Sequence, residues 1–284
     1  MITRIDRMIV TAPRRAVAVE TWRRLFGAEV IREDRVAYLA AKRTVLRLGT
    51  SEIELVEPDG IGITAQHVSR SRTAIFAVGL AVPDLAAAQA RLDARAIHHV
   101  RDGRQIWMSG EWTGVPALRV VLSQDEHRPA AGLLEHVYEV THLYQEHRRA
   151  AARIAETFEL DRRLFVPIRS EPYGYEGTLA MFAPDRLDRI ESITPFDREK
   201  TMGRFFARQG PSLYMFYAEA RDTAALRERL REHAPGAWTG PRDGAAPDNL
   251  FVHPQALHGV LLGVSRESVA WTWSGRPEKV RPAA

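Results

Sequence analysis

The chain contains no cysteine, which excludes disulfides, thiolate metal sites and a cysteine nucleophile. It contains no apolar run of ~18 residues, so no membrane-spanning helix is written into it. The first residues lack a charged-then-apolar leader pattern, and a cytoplasmic protein is expected. Ser/His/Asp arrangements and phosphate-binding glycine loops are missing. Gly60-Ile61-Gly62 is not expected to open a helix, so no dinucleotide site is read there. Excess charge is also scarce: 40 basic and 36 acidic groups leave +4. The doublets Arg14-Arg15, Arg23-Arg24, Arg148-Arg149 and Arg162-Arg163 are scattered, and no single basic stripe with interleaved aromatics appears. Neither nucleic acid nor a membrane is an expected partner.

What is present describes a globular protein. The 284 residues are 45% hydrophobic and 27% charged, enough chain for two domains of ordinary size. The stretch from Arg4 to Asp59 sets a pattern. Arg4–Pro13 reads as a strand. Val19, Trp22, Leu25 and Phe26 then mark one face of a helix, and Gly27 suits its C-terminus. Glu29–Ile31 with Val36–Leu39, then Arg43–Leu48, then Glu52–Val56 read as short strands. The unit is strand, helix, strand, strand, strand.

That unit recurs three times. After a linker at Ile61–Ser71, the second runs through Thr73–Val82, a helix capped by Asp84, and strands at Ala96–Arg101, Gln105–Met108 and Leu118–Leu122. The polar stretch Asp125–Gly132 reads as an interdomain linker. The third unit opens with the strand Leu134–Val140. Its helix carries His147, Ala151, Ile154 and Phe158, and its later strands are Leu164–Ile168, Thr178–Phe182 and Arg189–Ile193. The fourth has Leu213–Ala218, a helix capped by Asp222, then Trp238, Leu250–Val252 and Gly259–Val264. A frayed tail follows, in which Trp271 and Trp273 could dock on the body. One such unit leaves a sheet face uncovered, whereas two can close around a cavity. The expected fold class is therefore α+β, with four βαβββ units paired into two half-open-barrel domains. Their expected bounds are 1–127 and 132–267, with a tail at 268–284.

Ile5-Asp6-Arg7-Met8-Ile9-Val10, Trp22–Val30 and Val45–Gly60 resemble the vicinal oxygen chelate superfamily, the glyoxalase, bleomycin-resistance and extradiol dioxygenase group. Phe251–Leu262 and Gly203–Gly210 resemble segments of its methylmalonyl-CoA epimerases. The resemblance implies a divalent ion held by a His on the first strand and a Glu on the last strand of each unit. In the first unit those positions are Arg7 and Glu54, and in the second they fall near Ala77 and Leu122. Arg7 is always protonated and cannot ligate, so an Arg7–Glu54 ion pair is expected there without metal. In the third unit the positions are His136 and Glu191, both matching. In the fourth they are Tyr214 or Met215, and Gly263.

The expected functional site is therefore His136 and Glu191 with Tyr214 opposite. Tyr138, Phe182, Phe216 and Trp238 are expected to line the pocket. One divalent ion (Fe, Mn, Co, Ni or Zn) on His136 and Glu191, or no metal with a Glu191–His136 hydrogen bond, are both open. The reading adopted is an isomerase, epimerase or lyase acting on a small carbonyl or carboxylate compound. A metal-free drug-sequestering protein is the alternative, and an extradiol-type dioxygenase the third. A small-molecule ligand is the expected partner, and a homodimer is allowed. His98-His99, His253 and His258 read as structural. Tyr173 and Tyr175 sit in a glycine-containing loop, where a pocket mouth and a plain loop are equally open.

Overall fold

The computed structural model describes residues 2–240 and 249–282. Four strand–helix–strand–strand–strand units follow one another. The first comprises β1 (Arg4–Thr11), α1 (Arg15–Phe26), β2 (Glu29–Val36), β3 (Ala41–Leu48) and β4 (Ser51–Pro58). A helix, α2 (Ile63–Arg70), leads to β5 (Ile75–Val82), α3 (Leu85–Ala94), β6 (Val100–Asp102), β7 (Gln105–Met108), α4 (Gly110–Thr113) and β8 (Val120–Gln124). The third unit is β9 (His136–Leu143), α5 (His147–Phe158), β10 (Val166–Ser170), β11 (Tyr175–Met181) and β12 (Arg189–Pro195). After α6 (Thr201–Gln209) come β13 (Ser212–Ala220), α7 (Thr223–His233), β14 (Trp238–Thr239), β15 (Asn249–Val252) and β16 (Leu262–Arg266).

Among the described residues the strands form two sheets of eight. The first has the order β2-β3-β4-β1-β5-β8-β7-β6, and the second β10-β11-β12-β9-β13-β16-β15-β14. Each half of the sequence supplies one sheet, and each order is symmetric about the two first strands. This is the expected α+β class with units paired two to a sheet. By compactness the chain also divides into two units that mix the halves. One holds residues 6–76, 127–138 and 215–284; the other holds 1–5, 77–126 and 139–214.

Local chemistry accounts for the elements. Ala18, Val19, Trp22, Leu25 and Phe26 bury one face of α1, and Gly27, at φ 69°, ends it by returning its N–H to the Arg23 carbonyl. Asp84 and Asp222 cap α3 and α7 through their side chains, accepting from the Ala87 and Ala224 amides at 2.9 and 2.7 Å. Both caps were legible in the sequence.

Several expectations fail locally. The stretch read as a linker at Ile61–Ser71 holds α2, and Gly62 is its N-cap, so Gly60-Ile61-Gly62 does lead into a helix. β2 is one continuous edge strand, exposed along nearly all its length. Its polar Arg32-Glu33-Asp34-Arg35 core hid it, because pairing with β3 rather than burial makes it a strand. The strand expected from Leu164 begins only at Val166, after a 3-10 turn at Arg162–Leu164. The C-terminal segment is not frayed over its described length. It forms 3-10 turns at Val269–Trp273 and Pro277–Lys279, and Trp271 is buried beneath Lys279. Among the described residues, no helix is long and apolar enough to cross a membrane.

One glycine has a specific packing duty. Gly263 stands between Tyr217 and Phe251 in the ladder. A Cβ there would lie 2.2 Å from the Tyr217 ring, so only glycine lets that ring lie flat on β16. Gly263→Ala should destabilise the protein by roughly 1–3 kcal/mol, the usual cost of overpacking. Adding Tyr217→Ala should recover part of that loss. Thermal unfolding of both variants checks this, and strictly additive losses would contradict the contact.

Candidate functional site

The site is built on the parallel ladders that join the first and last strands of the first and third units. In the first, Arg7 stands opposite Glu52 and Ile9 opposite Glu54. In the third, Glu139 stands opposite Arg189 and Thr141 opposite Glu191. Ladder partners and residues two apart share a sheet face. Each unit therefore presents four such positions on one face.

The two units are in step. β1 and β9 begin at Arg4 and His136, and α1 and α5 begin at Arg15 and His147, the same 132-residue interval. The counterpart of Arg7 is therefore Glu139, and the counterpart of His136 is Arg4. Sequence comparison alone set His136 against Arg7, three residues out of register. The register also aligns the third strands: Arg43 stands opposite Val56, and Gly177 opposite Ile193. Gly177 is the counterpart of Arg43. At matching positions, then, Arg7, Glu52, Glu54 and Arg43 become Glu139, Arg189, Glu191 and Gly177.

In the first unit the charges close on themselves. Arg7 Nη1 reaches Glu54 Oε1 at 2.7 Å and Glu52 Oε2 at 2.9 Å, and Arg7 Nη2 reaches Asp6 Oδ2 at 2.7 Å. Arg43 Nη1 donates to the other Glu54 oxygen at 2.9 Å and binds Asp34 through Nε and Nη2, both at 2.7 Å. Arg128 joins Asp6 to Glu52 at 3.1 and 3.2 Å. Burial alone would raise the Glu54 carboxyl, but Arg7 and then Arg43 outweigh it and hold its pKa below the ordinary carboxylate value. The expected Arg7–Glu54 pair is present inside a network of three guanidiniums. It is a fixed scaffold with no proton to exchange.

In the third unit the same face is left unbalanced. Arg189 Nε donates to Glu139 Oε2 at 2.6 Å, and its Nη1 donates to the Leu187 carbonyl at 3.1 Å. Thr141 Oγ1 donates to Glu191 Oε2 at 2.5 Å and lies 3.4 Å from Glu139 Oε1. No second guanidinium comes from the position of Arg43, because Gly177 occupies it and Ile193 and Ile168 crowd around it. Burial, then the charge of Glu139, push the Glu191 carboxyl up to about 8, against the pull of Thr141 and Arg189. Tyr175 lies on the same face of β11. Its phenol is raised by burial and by Glu191 and Glu139, so it stays a donor. Glu191 keeps 7% exposure, against 1% for Glu139 and none for Thr141 or Arg189. It is the most exposed of these four side chains.

The other expected site residues fall elsewhere. His136 belongs to the other compact unit, where its Nε2 lies 3.7 Å from Glu219 Oε2. Tyr214 packs its ring edge on Phe205 at 5.0 Å, and the residue opposite Gly263 is Tyr217. Tyr138 is fully buried and shares a 3.0 Å hydrogen bond with Ser265 Oγ. Phe216 is core, stacked on Trp22 at 6.5 Å. Phe182 and Trp238 are half-buried, Phe182 just past β11 and Trp238 on β14. His258 and His253 hydrogen bond to Thr21 and Thr239 at 2.9 and 3.2 Å. Sequence reasoning missed Glu139, Thr141 and Arg189. The signal available was the constant interval between the first and third units, had it been carried into the strands.

The residues present do not fit the divalent ion that the resemblance implies. Among the described residues, no group of three or more His, Asp or Glu side chains could hold a metal ion. Glu54 is engaged by two guanidiniums, and Glu191 faces a threonine hydroxyl and a second carboxyl.

Two predictions follow from these charges. Arg7→Ala should cost on the order of 3–5 kcal/mol, because it strands buried carboxylates. Arg7→Ala with Glu54→Gln should cost less than Arg7→Ala alone, and unfolding midpoints decide between them. Glu191 is the opposite case, with a folded pKa raised above its unfolded value. Its stabilising contribution is complete below the unfolded carboxylate pKa of about 4.3 and is lost as pH rises through about 8. Glu191→Gln removes that dependence. Its melting temperature should gain a few degrees on the wild type between pH 5 and 9, and parallel melting curves across that range would refute the assignment.

No family model and no curated protein matches the sequence. Solved structures do match. A variant of 4-hydroxymandelate synthase from Streptomyces coelicolor superposes with a TM-score of 0.68 at 13% identity, over 94% of this chain and 93% of that one. A xylose isomerase-like TIM barrel/4-hydroxyphenylpyruvate dioxygenase fusion protein gives 0.61 at 12%, over 99% of this chain and 53% of that one. Methylmalonyl-CoA epimerase from Mycobacterium tuberculosis gives 0.42 at 20%, over 49% of this chain and 93% of that one. Over nearly its whole length, the chain therefore has the vicinal oxygen chelate fold.

Proposed function

We propose that the chain is an enzyme that moves a proton on a small carbonyl or carboxylate compound, as an isomerase, epimerase or lyase does, with Glu191 as its acid–base group. The two sheet-bearing halves, 1–127 and 132–267, are taken as its domains, and the chemistry is assigned to the second. One observation carries the reading. Glu191 is a buried carboxyl, held by the Thr141 hydroxyl beside the Glu139 carboxyl, and burial and that charge raise its pKa. Paired carboxyls whose environments push their titrations apart are a recurrent acid–base device.

The roles follow from the contacts. Arg189 compensates Glu139 and fixes it in place. The charge of Glu139 beside it makes ionisation of Glu191 costly. The Thr141 hydroxyl orients Glu191. A neutral Glu191 offers an O–H to a carbonyl or carboxylate oxygen, and the resulting carboxylate can take a proton back from carbon. Tyr175 adds a phenol that does not ionise at working pH.

The test follows exchange of carbon-bound hydrogen for deuterium in D2O by NMR. Suitable probes are 2-oxobutyrate, mandelate and the N-acetylcysteamine thioester of propionate. The wild type should accelerate exchange in at least one of them. Glu191→Gln should lose roughly 10²–10⁴ of that rate, the usual contribution of general acid–base catalysis. The wild-type rate should also bend near pH 8, where Glu191 titrates. No acceleration with any probe, or equal rates in Glu191→Gln, would sink the reading.

A further inference from the structure

A second site stands apart from Glu191, within the other compact unit, at the C-terminus of α1. The chain's own repeat shows what is missing there. By the constant interval between the first and third units, Gly27 and Glu159 are counterparts, and both end their helices at positive φ, 69° and 55°. Arg91 and Arg229 are counterparts too, because each follows by seven residues the aspartate that caps its helix, Asp84 or Asp222.

The junction of α3 with α5 is closed by charge. Arg91 Nη1 reaches Glu159 Oε2 at 3.2 Å, and Arg95 lies 4.0 Å from the other oxygen. Arg95 also donates to the Glu156 and Thr157 carbonyls at 2.8 and 3.0 Å. The carboxylate at the end of α5 thus matches the arginine of α3.

The junction of α7 with α1 lacks that carboxylate. Gly27 has no side chain, and a Cβ there would lie 3.6 Å from Arg229 Nη1. Arg229 donates instead to the Arg24 carbonyl at 3.2 Å, which uses one of its five N–H groups. Arg24 stands where α5 has Glu156, so an acid is also replaced by a base. Arg23 is matched by Glu20 at 2.8 Å. Among the described residues, neither Arg24 nor Arg229 has an acidic partner. A cleft of about 900 Å³ opens here, lined in part by Arg23, Arg24, Arg229, Ala28, Glu29 and Val30. Val30 is 44% exposed, which gives the cleft an apolar wall as well as a cationic one.

We propose that this cleft binds a small organic anion, a carboxylate or a phosphate monoester carrying an apolar group. Its oxyanion takes on Arg229 and Arg24 the place that Glu159 takes on Arg91, and its apolar part lies on Ala28 and Val30. A guanidinium presents a fork of donors that fits an oxyanion in two contacts. A single exposed ion pair contributes little, so the second guanidinium and the apolar contact supply the rest. Glu29 brings a negative charge to the same cleft and disfavours polyanions. The proposal does not depend on Glu191 or on the proton chemistry assigned to it.

The test titrates the full chain by calorimetry, at constant ionic strength, with hexanoate, hexyl phosphate and neutral hexanamide. At least one of the two anions should bind saturably, and hexanamide about tenfold or more weakly. Tighter binding of hexanoate assigns a carboxylate ligand, and tighter binding of hexyl phosphate a phosphate monoester. Arg229→Gln and Arg24→Gln should each weaken the better anion about tenfold, as the loss of one charge-assisted contact does. Both variants should melt within a few degrees of the wild type. Arg91→Gln, at the closed junction, should bind it unchanged. Glu191→Gln should also bind it unchanged, which separates this site from the proton-transfer reading. Weakening in either of these two variants would place the binding elsewhere and overturn the proposal. So would hexanamide binding as tightly as the anions, binding that survives both Arg229→Gln and Arg24→Gln, or no saturable binding of either anion.

Discussion

A carboxyl group sits at the same buried ladder position in the first and the third unit, and its immediate neighbours decide what each unit can do. A buried carboxylate is costly unless cations and hydrogen bonds offset its lost hydration. Glu54 has Arg7 and Arg43 on its two oxygens. Glu191 has a threonine hydroxyl and a like-charged neighbour. One backbone arrangement thereby gives a permanent ion network and a titratable acid. The difference lies in three substitutions of charge at matched register: Arg7 by Glu139, Glu52 by Arg189 and Arg43 by Gly177.

This inversion also explains why the metal chemistry suggested by family resemblance finds no matching donors here. A guanidinium delivers a fixed positive charge and directional donors to the carboxylates around it. With Arg7 and Arg43 on the two oxygens of Glu54, a divalent ion at that position would meet two fixed positive charges. In the third unit, Arg189 takes up Glu139 instead, and the cluster carries a single cation for two carboxyls.

Much of the fold was legible. The fourfold recurrence, the helix faces and the aspartate caps can be read from residue types and spacing, whereas Glu54 and Glu191 were marked by the family resemblance. The Arg7–Glu54 pair could be anticipated because the resemblance places both residues at its two converging ligand positions in the first unit. His136 and Tyr214 could not be placed in the same way. β9 and β13 are buried almost throughout. A strand buried on both faces has no alternation to mark its phase. A shift of three residues then costs nothing in the pattern, yet it exchanges His136 for Glu139.

The sequence by itself determined the α+β class and the four repeated units. It also determined the absence of thiol chemistry, and which strands carry charge into an apolar interior. Those are properties of composition and of short-range period, which physics reads locally. Only the tertiary structure decided which charges meet. Ladder register between β1 and β4, and between β9 and β12, joins residues about fifty positions apart. That register is set by packing across the whole sheet. A titration shift, in turn, comes from burial and from neighbours within a few ångströms. Glu54 and Glu191 look alike as letters, and only their assembled surroundings make one a fixed anion and the other an acid.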